Sequence, residues 1–161
     1  LADCALTIKE NADVLFWIDA DTVTFKDIPR EFFDEILPDG CYTSYLGRVQ
    51  TYPECGFVGY DLNHPAHDEF MTFWRQLYLD DSLFELPEWH DSFVYDLLRR
   101  TFEDQGKFKS HNIAANTPLS SHPFINSVLG NFMDHLKGDE RKEAGASFTE
   151  DYIEAPSDWR D

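Results

Sequence analysis

The sequence feature that most constrains the fold is an unbroken run of five large apolar residues, Val14–Ile18, followed by Asp19-Ala20-Asp21. A short apolar run bounded by polar residues predicts a strand buried on both faces. Side chains two residues apart on an extended segment point the same way, so Asp19 and Asp21 should emerge together. In open α/β sheets, ligands bind beyond the carboxyl ends of the strands. Two carboxylates at that position favour a divalent cation such as Mg²⁺ or Mn²⁺.

The D-x-D triplet is short, and in a chain this acidic it has a second interpretation. Two aspartates can simply be solvated at the end of a strand, because a motif is a hypothesis until its structural context agrees. The strict pattern occurs at one place in the sequence, Asp19-Ala20-Asp21. A metal site and a polar strand end both stay open on this motif alone.

Length, composition and charge restrict the class of protein. A chain of 161 residues with 42% hydrophobic and 16% aromatic content is most simply one globular domain. The net charge of -18 disfavours nucleic acid, whose recognition needs clusters of Lys and Arg, and also disfavours anionic membranes. We expect no nucleic-acid partner, and an anionic substrate would have to be held through a metal or through local basic residues.

Cysteine content and hydropathy suggest a compartment. The three cysteines, Cys4, Cys41 and Cys55, have no spacing typical of a disulfide framework or a zinc site. Reduced thiols fit a reducing cytoplasm. The sequence has neither a recognisable signal peptide nor an apolar run long enough to span a bilayer, so we expect a cytoplasmic protein without membrane insertion.

Hydrophobic periodicity predicts an α/β chain. Two helices have clear apolar stripes, and we expect the stripe of the first to belong to the core. Glycines in a strand near residue 57 indicate close approach of a neighbour or a ligand, or a simple packing need. The predicted elements are a helical segment within 25–37, strands at 41–46 and 56–61, helices beginning near 63 and 91, a short strand within 107–113, an irregular stretch at 116–123 and a loosely held tail that Tyr152 or Trp159 could anchor; the core stripe is Phe70, Phe73, Trp74, Leu77 and Tyr78.

A second cluster of chemistry-bearing residues lies near the end of the chain. His135-Leu136-Lys137-Gly138 is followed by Arg141 and Lys142. An imidazole can complete a Mn²⁺ shell begun by two carboxylates. A glycine lets a backbone N–H approach a phosphate oxygen, and lysine supplies a point charge. The segment is therefore a candidate site for a diphosphate, although a single histidine is more often structural.

The third candidate is Glu88-Trp89-His90-Asp91, at the start of the second clear helix. A carboxylate at this position is first of all a helix cap, and we take capping as the default for Asp91. The alternative is an acceptor-binding or general-base carboxylate, with Trp89 as a stacking platform for a sugar ring. Four other histidines have no partner spacing and are interpreted as structural: His64, His67, His111 and His122.

Together these residues resemble glycosyltransferases of the GT-A fold. The strand ending in Asp19-Ala20-Asp21 resembles their D-x-D metal motif. His135-x-x-Gly138 followed by Lys142 is similar to the H-F-x-G-x-x-K-P-W element of the glycogenin and lipopolysaccharide galactosyltransferase family. Leu136 replaces the aromatic residue, no Pro-Trp follows, and Lys142 lies one position late. Lys137, Arg141 and Lys142 therefore all stay open as the phosphate-binding cation.

The resemblance implies a site and a reaction. Asp21 and His135 would bind Mn²⁺ or Mg²⁺, and Asp19 would bind the metal, the donor ribose or both. Gly138, Lys137 and Lys142 would hold the diphosphate. The reaction would be sugar transfer from a nucleotide-diphospho-sugar, most simply a UDP-sugar, to an unknown acceptor, with Asp91 as the acceptor-facing catalytic carboxylate.

The resemblance also implies an architecture. It predicts a partial GT-A, Rossmann-like mixed sheet flanked by helices, without most of the N-terminal nucleotide-binding half, because D-x-D comes so early in the chain. Residues 1–142 would form the metal- and acceptor-binding part, and 143–161 an acidic C-terminal tail. The D-x-D strand would then lose a sheet neighbour and could pair with a second copy of the chain to form a homo-oligomer.

Two other readings stay open. Asp19-Ala20-Asp21-Thr22-Val23 after an apolar strand also fits the nucleophile motif of haloacid-dehalogenase-like phosphatases, with Asp19 as nucleophile and Asp21 as acid/base. Such enzymes need a later lysine and a further acidic pair on a strand end. Asp80-Asp81 follows a helical stripe instead of an apolar strand, and Gly138-Asp139 has no predicted strand before it. The third reading is a non-catalytic domain or fragment.

Overall fold

The computed structural model describes residues 1–115, 117 and 122–153. They form a mixed α/β fold in which helices flank a four-stranded mixed sheet, as the sequence predicts. The helices are α1 (Ala2–Ile8), α2 (Glu31–Ile36), α3 (His67–Leu79), α4 (Asp91–Asp104) and α5 (Asp139–Ala144), and 3₁₀ turns cover Ser82–Glu85, Val128–Asn131 and Thr149–Asp151.

The main sheet has the strand order β1-β4-β3-β5. Its strands are β1 (Val14–Ile18), β3 (Thr43–Leu46), β4 (Glu54–Asp61) and β5 (Ser110–Asn112). Strand β4 is antiparallel to both β1 and β3, and β5 runs parallel to β3. A separate two-stranded ribbon pairs β2 (Thr22–Thr24) with β6 (Met133–His135) in antiparallel orientation. This ribbon connects the segment after β1 to a segment more than a hundred residues later.

The expectation that Val14–Ile18 is buried on both faces is wrong. Among the described residues β1 pairs with β4 alone, so it is an edge strand with one open side. Val14, Trp17 and Ile18 are exposed, and Leu15 and Phe16 are half-buried. The apolar run correctly indicates a strand, but continuous hydrophobicity does not reveal whether a neighbouring strand is present.

The core consists of two clusters, one on each side of the main sheet. The first packs α3 and α4 against one face of β3 and β4, with Tyr42, Tyr60 and Phe70 fully buried. The second lies on the opposite side and includes Phe57 and Phe124. Its full membership is Phe32, Ile36, Leu46, Phe57, Ala114, Phe124, Ile125, Leu129 and Met133.

The predicted core stripe of α3 is only partly buried. Phe70 and Trp74 lie in the first core cluster and Leu77 packs against it, whereas Phe73 and Tyr78 are exposed. A helix on the surface of a small domain contacts the core through a narrower arc than a stripe of five residues covers. The two outer positions therefore face solvent.

The described part of the predicted tail, residues 143–153, is held to the rest of the fold. The Ser147 backbone N–H donates to Asp134 Oδ2 at 2.7 Å, and its hydroxyl donates to Oδ1 at 2.5 Å. Arg141 pairs with Asp151, and Tyr152 packs against the second core cluster. Anchoring by Tyr152 is thus confirmed, while Trp159 and most of 116–123 lie outside the described residues. The division after Lys142 stays a prediction.

No helix in the described ranges is both long enough and apolar enough to cross a membrane.

Candidate metal centre

The two aspartates lie in the short link between the main sheet and the ribbon. The Asp19 N–H donates to Gly56 O at 3.0 Å, so Asp19 extends the pairing of β1 with β4 by one bond. The Thr22 N–H donates back to Asp19 O at 3.1 Å, and the Leu136 N–H donates to Asp21 O at 2.9 Å. Backbone bonds to two separate elements thus hold the link on both sides.

His135 reaches the same place from the ribbon. It lies opposite Thr22 in the β2–β6 pairing, and its side chain is 2% exposed. Its Nε2 is 3.1 Å from Asp21 Oδ1 and 3.7 Å from Asp19 Oδ2. The structure therefore brings together Asp19, Asp21 and His135, the three metal ligands predicted from the sequence, in a group that could hold a metal ion.

The spacing of the three side chains fits a hard divalent cation. Mg²⁺ keeps its ligands at about 2.1 Å in an octahedral arrangement, so adjacent ligand atoms are about 3 Å apart. The ligand atoms of Asp19, Asp21 and His135 all lie within 4.8 Å of one another, and the closest pair is near the octahedral spacing. Two carboxylates with one imidazole also match the ligand preferences of Mn²⁺.

The position of His135 depends on Gly56 in β4. A Cβ built on Gly56 would lie 2.7 Å from His135 Cε1, closer than real Cβ contacts, so the imidazole occupies the space of the missing side chain. Phe124 packs on the ring from another direction, with centroids 5.1 Å apart. The glycines of β4 were predicted to mark close approach of a neighbour or ligand; at Gly56 the neighbour is the candidate metal ligand.

Lys142 is the cation that touches the centre. Its Nζ lies 3.0 Å from Asp21 Oδ2. Burial would raise the pKa of the Asp21 carboxyl, but the Lys142 hydrogen bond and the charge of His135 outweigh it, and the pKa is lower than usual. Asp21 is therefore held in the ionised form that a metal ligand needs.

The other two candidate cations are bound elsewhere. Lys137 Nζ donates to Glu54 Oε2 at 2.6 Å. Burial would raise the pKa of Glu54, but the hydrogen bond and charge of Lys137, with the charge of Arg48, lower it. Arg141 is bound to Asp151 and donates to the Lys137 carbonyl at 3.3 Å. Of the three alternatives left open by the sequence, only Lys142 contacts a proposed ligand.

Gly138 allows the backbone conformation of the turn between β6 and α5. Its φ is +93°, a conformation that residues with a Cβ rarely adopt, and an added Cβ would meet nothing within 4 Å. The requirement for glycine here is thus conformational. The turn at Gly138 directs the chain into α5, which carries Lys142 back to Asp21. Its predicted contact with a diphosphate stays a prediction.

The start of α4 differs from the sequence interpretation. The capping residue is His90, whose Nδ1 accepts from the Phe93 N–H at 3.3 Å, so the default role given to Asp91 is wrong. Asp91 is the first helical residue and accepts from the Ser92 N–H at 2.8 Å. It lines a cavity that Trp17 and Cys55 also line. Predicting which of several adjacent polar residues caps a helix requires the backbone conformation.

Trp89, the predicted sugar platform, does not line this cavity. It is 61% exposed and packs edge-on against Phe84 with centroids 5.8 Å apart.

Three residues near the centre were not predicted from the sequence as site residues. Trp17 Nε1–H donates to Asp19 Oδ1 at 3.3 Å. The alternation that places Asp19 and Asp21 on one side would also have placed Trp17 there. Glu54 is a buried carboxylate that no local pattern distinguishes from the many acidic residues.

The third is His122, which was interpreted as structural. Its ring meets that of His135 edge-on at 5.2 Å, and burial followed by the charge of His135 lowers its pKa to about 4. Neither ring nitrogen has a hydrogen-bond partner among the described residues. No spacing rule connects it to His135.

Comparison of the chain with protein-family models, curated proteins and solved structures gave no match in any of the three.

Proposed function

We propose that this protein is a metal-dependent glycosyltransferase that moves a sugar from a nucleotide-diphospho-sugar, most simply a UDP-sugar, to an acceptor hydroxyl. The observation that carries the proposal is the meeting of Asp19, Asp21 and His135 in one group that could hold a metal. The D-x-D pair and the histidine are separated by 114 residues in sequence, yet both elements of the resemblance come together. Their convergence in space is a second support beside the motifs themselves.

The proposed ligands are Asp21 and His135, with Asp19 binding the metal or the donor ribose. Mn²⁺ or Mg²⁺ held by these residues would neutralise the charge that develops on the leaving nucleoside diphosphate. Lys142 adds a positive charge beside Asp21, on a half-exposed side chain that is our candidate for contact with a phosphate. Lys137 lies further out, on Glu54.

Sugar transfer breaks the bond between the anomeric carbon and the diphosphate oxygen and forms one to the acceptor oxygen. The acceptor hydroxyl loses its proton in this exchange, and we assign Asp91 to accept it. Two features support the assignment: Asp91 is exposed in a cavity, and that cavity is also lined by Trp17, which bonds to Asp19.

The phosphatase alternative has less support. One candidate for its further acidic pair is Asp80-Asp81, and the Asp80 carboxylate is used locally. It accepts from the Ser82 N–H at 3.1 Å and from Gln76 at 3.1 Å, beyond the end of α3. His135 beside both aspartates also has no role in an aspartyl-phosphate mechanism.

Thermal unfolding with Mn²⁺ and a panel of UDP, GDP, ADP and CDP tests the proposal. A ligand that binds only the native state raises the midpoint, so one nucleotide should raise it further when Mn²⁺ is present. Asp21→Asn and His135→Ala should lose this increase, and the matched variant Asp80→Asn should keep it. If Mn²⁺ raises the midpoint but no nucleoside diphosphate adds to it, the transferase proposal fails while the metal centre stands.

A further inference from the structure

A cavity of about 310 Å³ lies at the carboxyl end of β1, beside the candidate metal centre. Its walls come from the start of α1, from β1, from β4, from the last turns of α3 and from the start of α4. A cavity of this size is at the lower end of the range for small-molecule sites. Its occupant is therefore a small molecule or one end of a larger one.

Trp17 connects the cavity to the candidate metal centre. One side of its indole lines the cavity, while its Nε1–H donates to Asp19 Oδ1 at 3.3 Å. Cys55, on the adjacent strand, lines the cavity and directly precedes Gly56, the residue on which His135 packs. Trp17 thus belongs both to the lining of the cavity and to the hydrogen bonds of a proposed metal ligand.

The cavity is lined by aromatic rings. Trp17 and Tyr78 are 43% and 47% exposed, and Trp74, at 8%, is mostly covered. Exposed rings at a concave surface offer flat apolar faces, and each has a polar atom at its edge. Such faces bind a molecule that is itself amphipathic, with C–H groups on one side and hydroxyl groups around the edge.

The side-chain charges in the cavity disfavour an anion. Asp3 and Arg75 form an ion pair with each other. The remaining charged side chain in the lining is Asp91, so the side-chain charge of the lining is negative. Asp91 Oδ1 accepts from Ser92, and its other oxygen has no bond to the described part of the chain. A carboxylate oxygen is an acceptor only, so its partner must be a hydrogen-bond donor, such as a hydroxyl group.

We propose that this cavity binds an uncharged saccharide, the acceptor of the transfer. The saccharide lies with the C–H face of one ring on Trp17, and one of its hydroxyl groups donates to Asp91. The identification of this saccharide as the acceptor rests on the proposed function. The binding of a neutral sugar in this cavity does not depend on the metal.

Saturation-transfer difference NMR on the full chain, without metal or nucleotide, tests the proposal. The probes are lactose, maltose and cellobiose, with sialyllactose as the anionic counterpart and p-cresol as an aromatic competitor. We expect at least one neutral disaccharide to receive saturation on its ring C–H protons, with an affinity in the millimolar range. Sialyllactose should receive less than lactose because its carboxylate meets Asp91.

Matched variants test whether the saccharide binds in this cavity. Trp17→Ala and Asp91→Asn should each weaken it by about tenfold, equivalent to about 1.4 kcal/mol. Trp17→Phe, which keeps an aromatic face, should retain most of the affinity and shows whether the alanine variant merely misfolds. Trp89→Ala removes an exposed indole outside the cavity and should change nothing.

The outcomes separate this inference from the proposed function. The inference is overturned if none of the three disaccharides binds, if their binding survives both Trp17→Ala and Asp91→Asn, or if p-cresol alone binds. If a disaccharide binds at Trp17 but Mn²⁺ and nucleoside diphosphates do not stabilise the chain, the cavity is a carbohydrate site and the transferase proposal fails alone.

Discussion

The imidazole of His135 lies in the space that a side chain at position 56 would fill. An added Cβ on Gly56 would be 2.7 Å from His135 Cε1 and 3.0 Å from Nδ1. Gly56 belongs to the main sheet and His135 to the two-stranded ribbon. This contact fixes how the ribbon, which carries the histidine, packs against β4. The metal-binding geometry of His135 therefore depends on a residue with no polar side chain.

Gly56→Ala should weaken metal binding without unfolding the protein. The new methyl group pushes the imidazole away from Asp21, at a cost of about 1–3 kcal/mol for inserting a group into a packed site. Mn²⁺ affinity measured by isothermal titration calorimetry should fall by about tenfold or more.

The control is a double-mutant cycle with His135→Ala, read as free energy of unfolding. In the His135→Ala background the methyl group has room, so Gly56→Ala should cost less than in the wild type. Equal costs in both backgrounds would mean that the contact between Gly56 and His135 does not carry the effect.

Lys142→Met should separate metal binding from diphosphate binding. The lysine Nζ is 3.0 Å from Asp21 Oδ2, so in the free protein it competes with a cation. Removing a half-exposed ion pair worth about 0.5–1 kcal/mol should raise the affinity for Mn²⁺ alone by about two- to fivefold. Affinity for UDP in the presence of Mn²⁺ should fall instead, because a phosphate loses a positive charge.

Lys109→Met, on an exposed side chain remote from the centre in sequence, is the matched control and should change neither affinity. A Lys142→Met protein that binds Mn²⁺ more weakly would contradict the contact, and unchanged UDP affinity would assign the phosphate-binding role to another cation.

Glu54→Gln should change the dependence of stability on pH. The Lys137 hydrogen bond keeps the pKa of Glu54 below its usual value despite burial. A carboxyl group with a lowered folded-state pKa contributes stability above its unfolded pKa of about 4.3, and this stability is lost as pH falls through the folded value. At neutral pH the variant should be less stable by about 2 kcal/mol, the net value of a charge-assisted hydrogen bond.

The free energies of unfolding of the wild type and the variant, from urea unfolding at a series of pH values, should converge in acid. At low pH the wild type loses the stabilisation by the ionised Glu54, which the variant already lacks. Parallel curves across the acid range would contradict the pKa shift of Glu54.

Ser147→Ala should destabilise the fold although the residue lies in the predicted tail. Ser147 is fully buried, and its hydroxyl and backbone N–H both donate to the Asp134 carboxylate. Losing the hydroxyl leaves a buried carboxylate with one fewer donor, which costs about 1–3 kcal/mol. Urea unfolding measures this change. Ser82→Ala, outside the core, is the serine control, and equal small effects in the two variants would mean that the tail is not anchored through Ser147.

The sequence predicted much of the fold because its periodic segments are strong local signals. A local pattern predicts each of four elements, helices α3 and α4 and strands β3 and β4, because the spacing of apolar residues within a short segment indicates its secondary structure. The edge position of β1 did not follow from its apolar run, although the resemblance predicted a missing sheet neighbour for this strand. An apolar run has the same pattern whether its open side is covered by another strand or not, and β1 has β4 on one side alone in the described ranges.

Sequence motifs predicted some residues of the candidate site. The contacts that depend on tertiary packing could not be predicted. Asp19 and Asp21 follow from alternation along one strand. The cluster around His135 was visible in the sequence, but its place as the third ligand came from the resemblance, because nothing local shows that β6 pairs with β2. The capping role of His90 and the contact of His122 with His135 depend on backbone and tertiary geometry. No spacing of residues in the sequence encodes them.

The central claim is that Asp19, Asp21 and His135 form one metal site, and a Mn²⁺ titration of the full chain by calorimetry, with electron paramagnetic resonance of the bound ion, tests it most directly. We expect one Mn²⁺ per chain in the wild type, and at least about a tenfold loss of affinity in both Asp21→Asn and His135→Ala. Asp80→Asn, whose carboxylate is used locally beyond α3, should bind as the wild type does. Wild-type chain that binds no Mn²⁺, or that keeps its affinity in both ligand variants, would contradict the account.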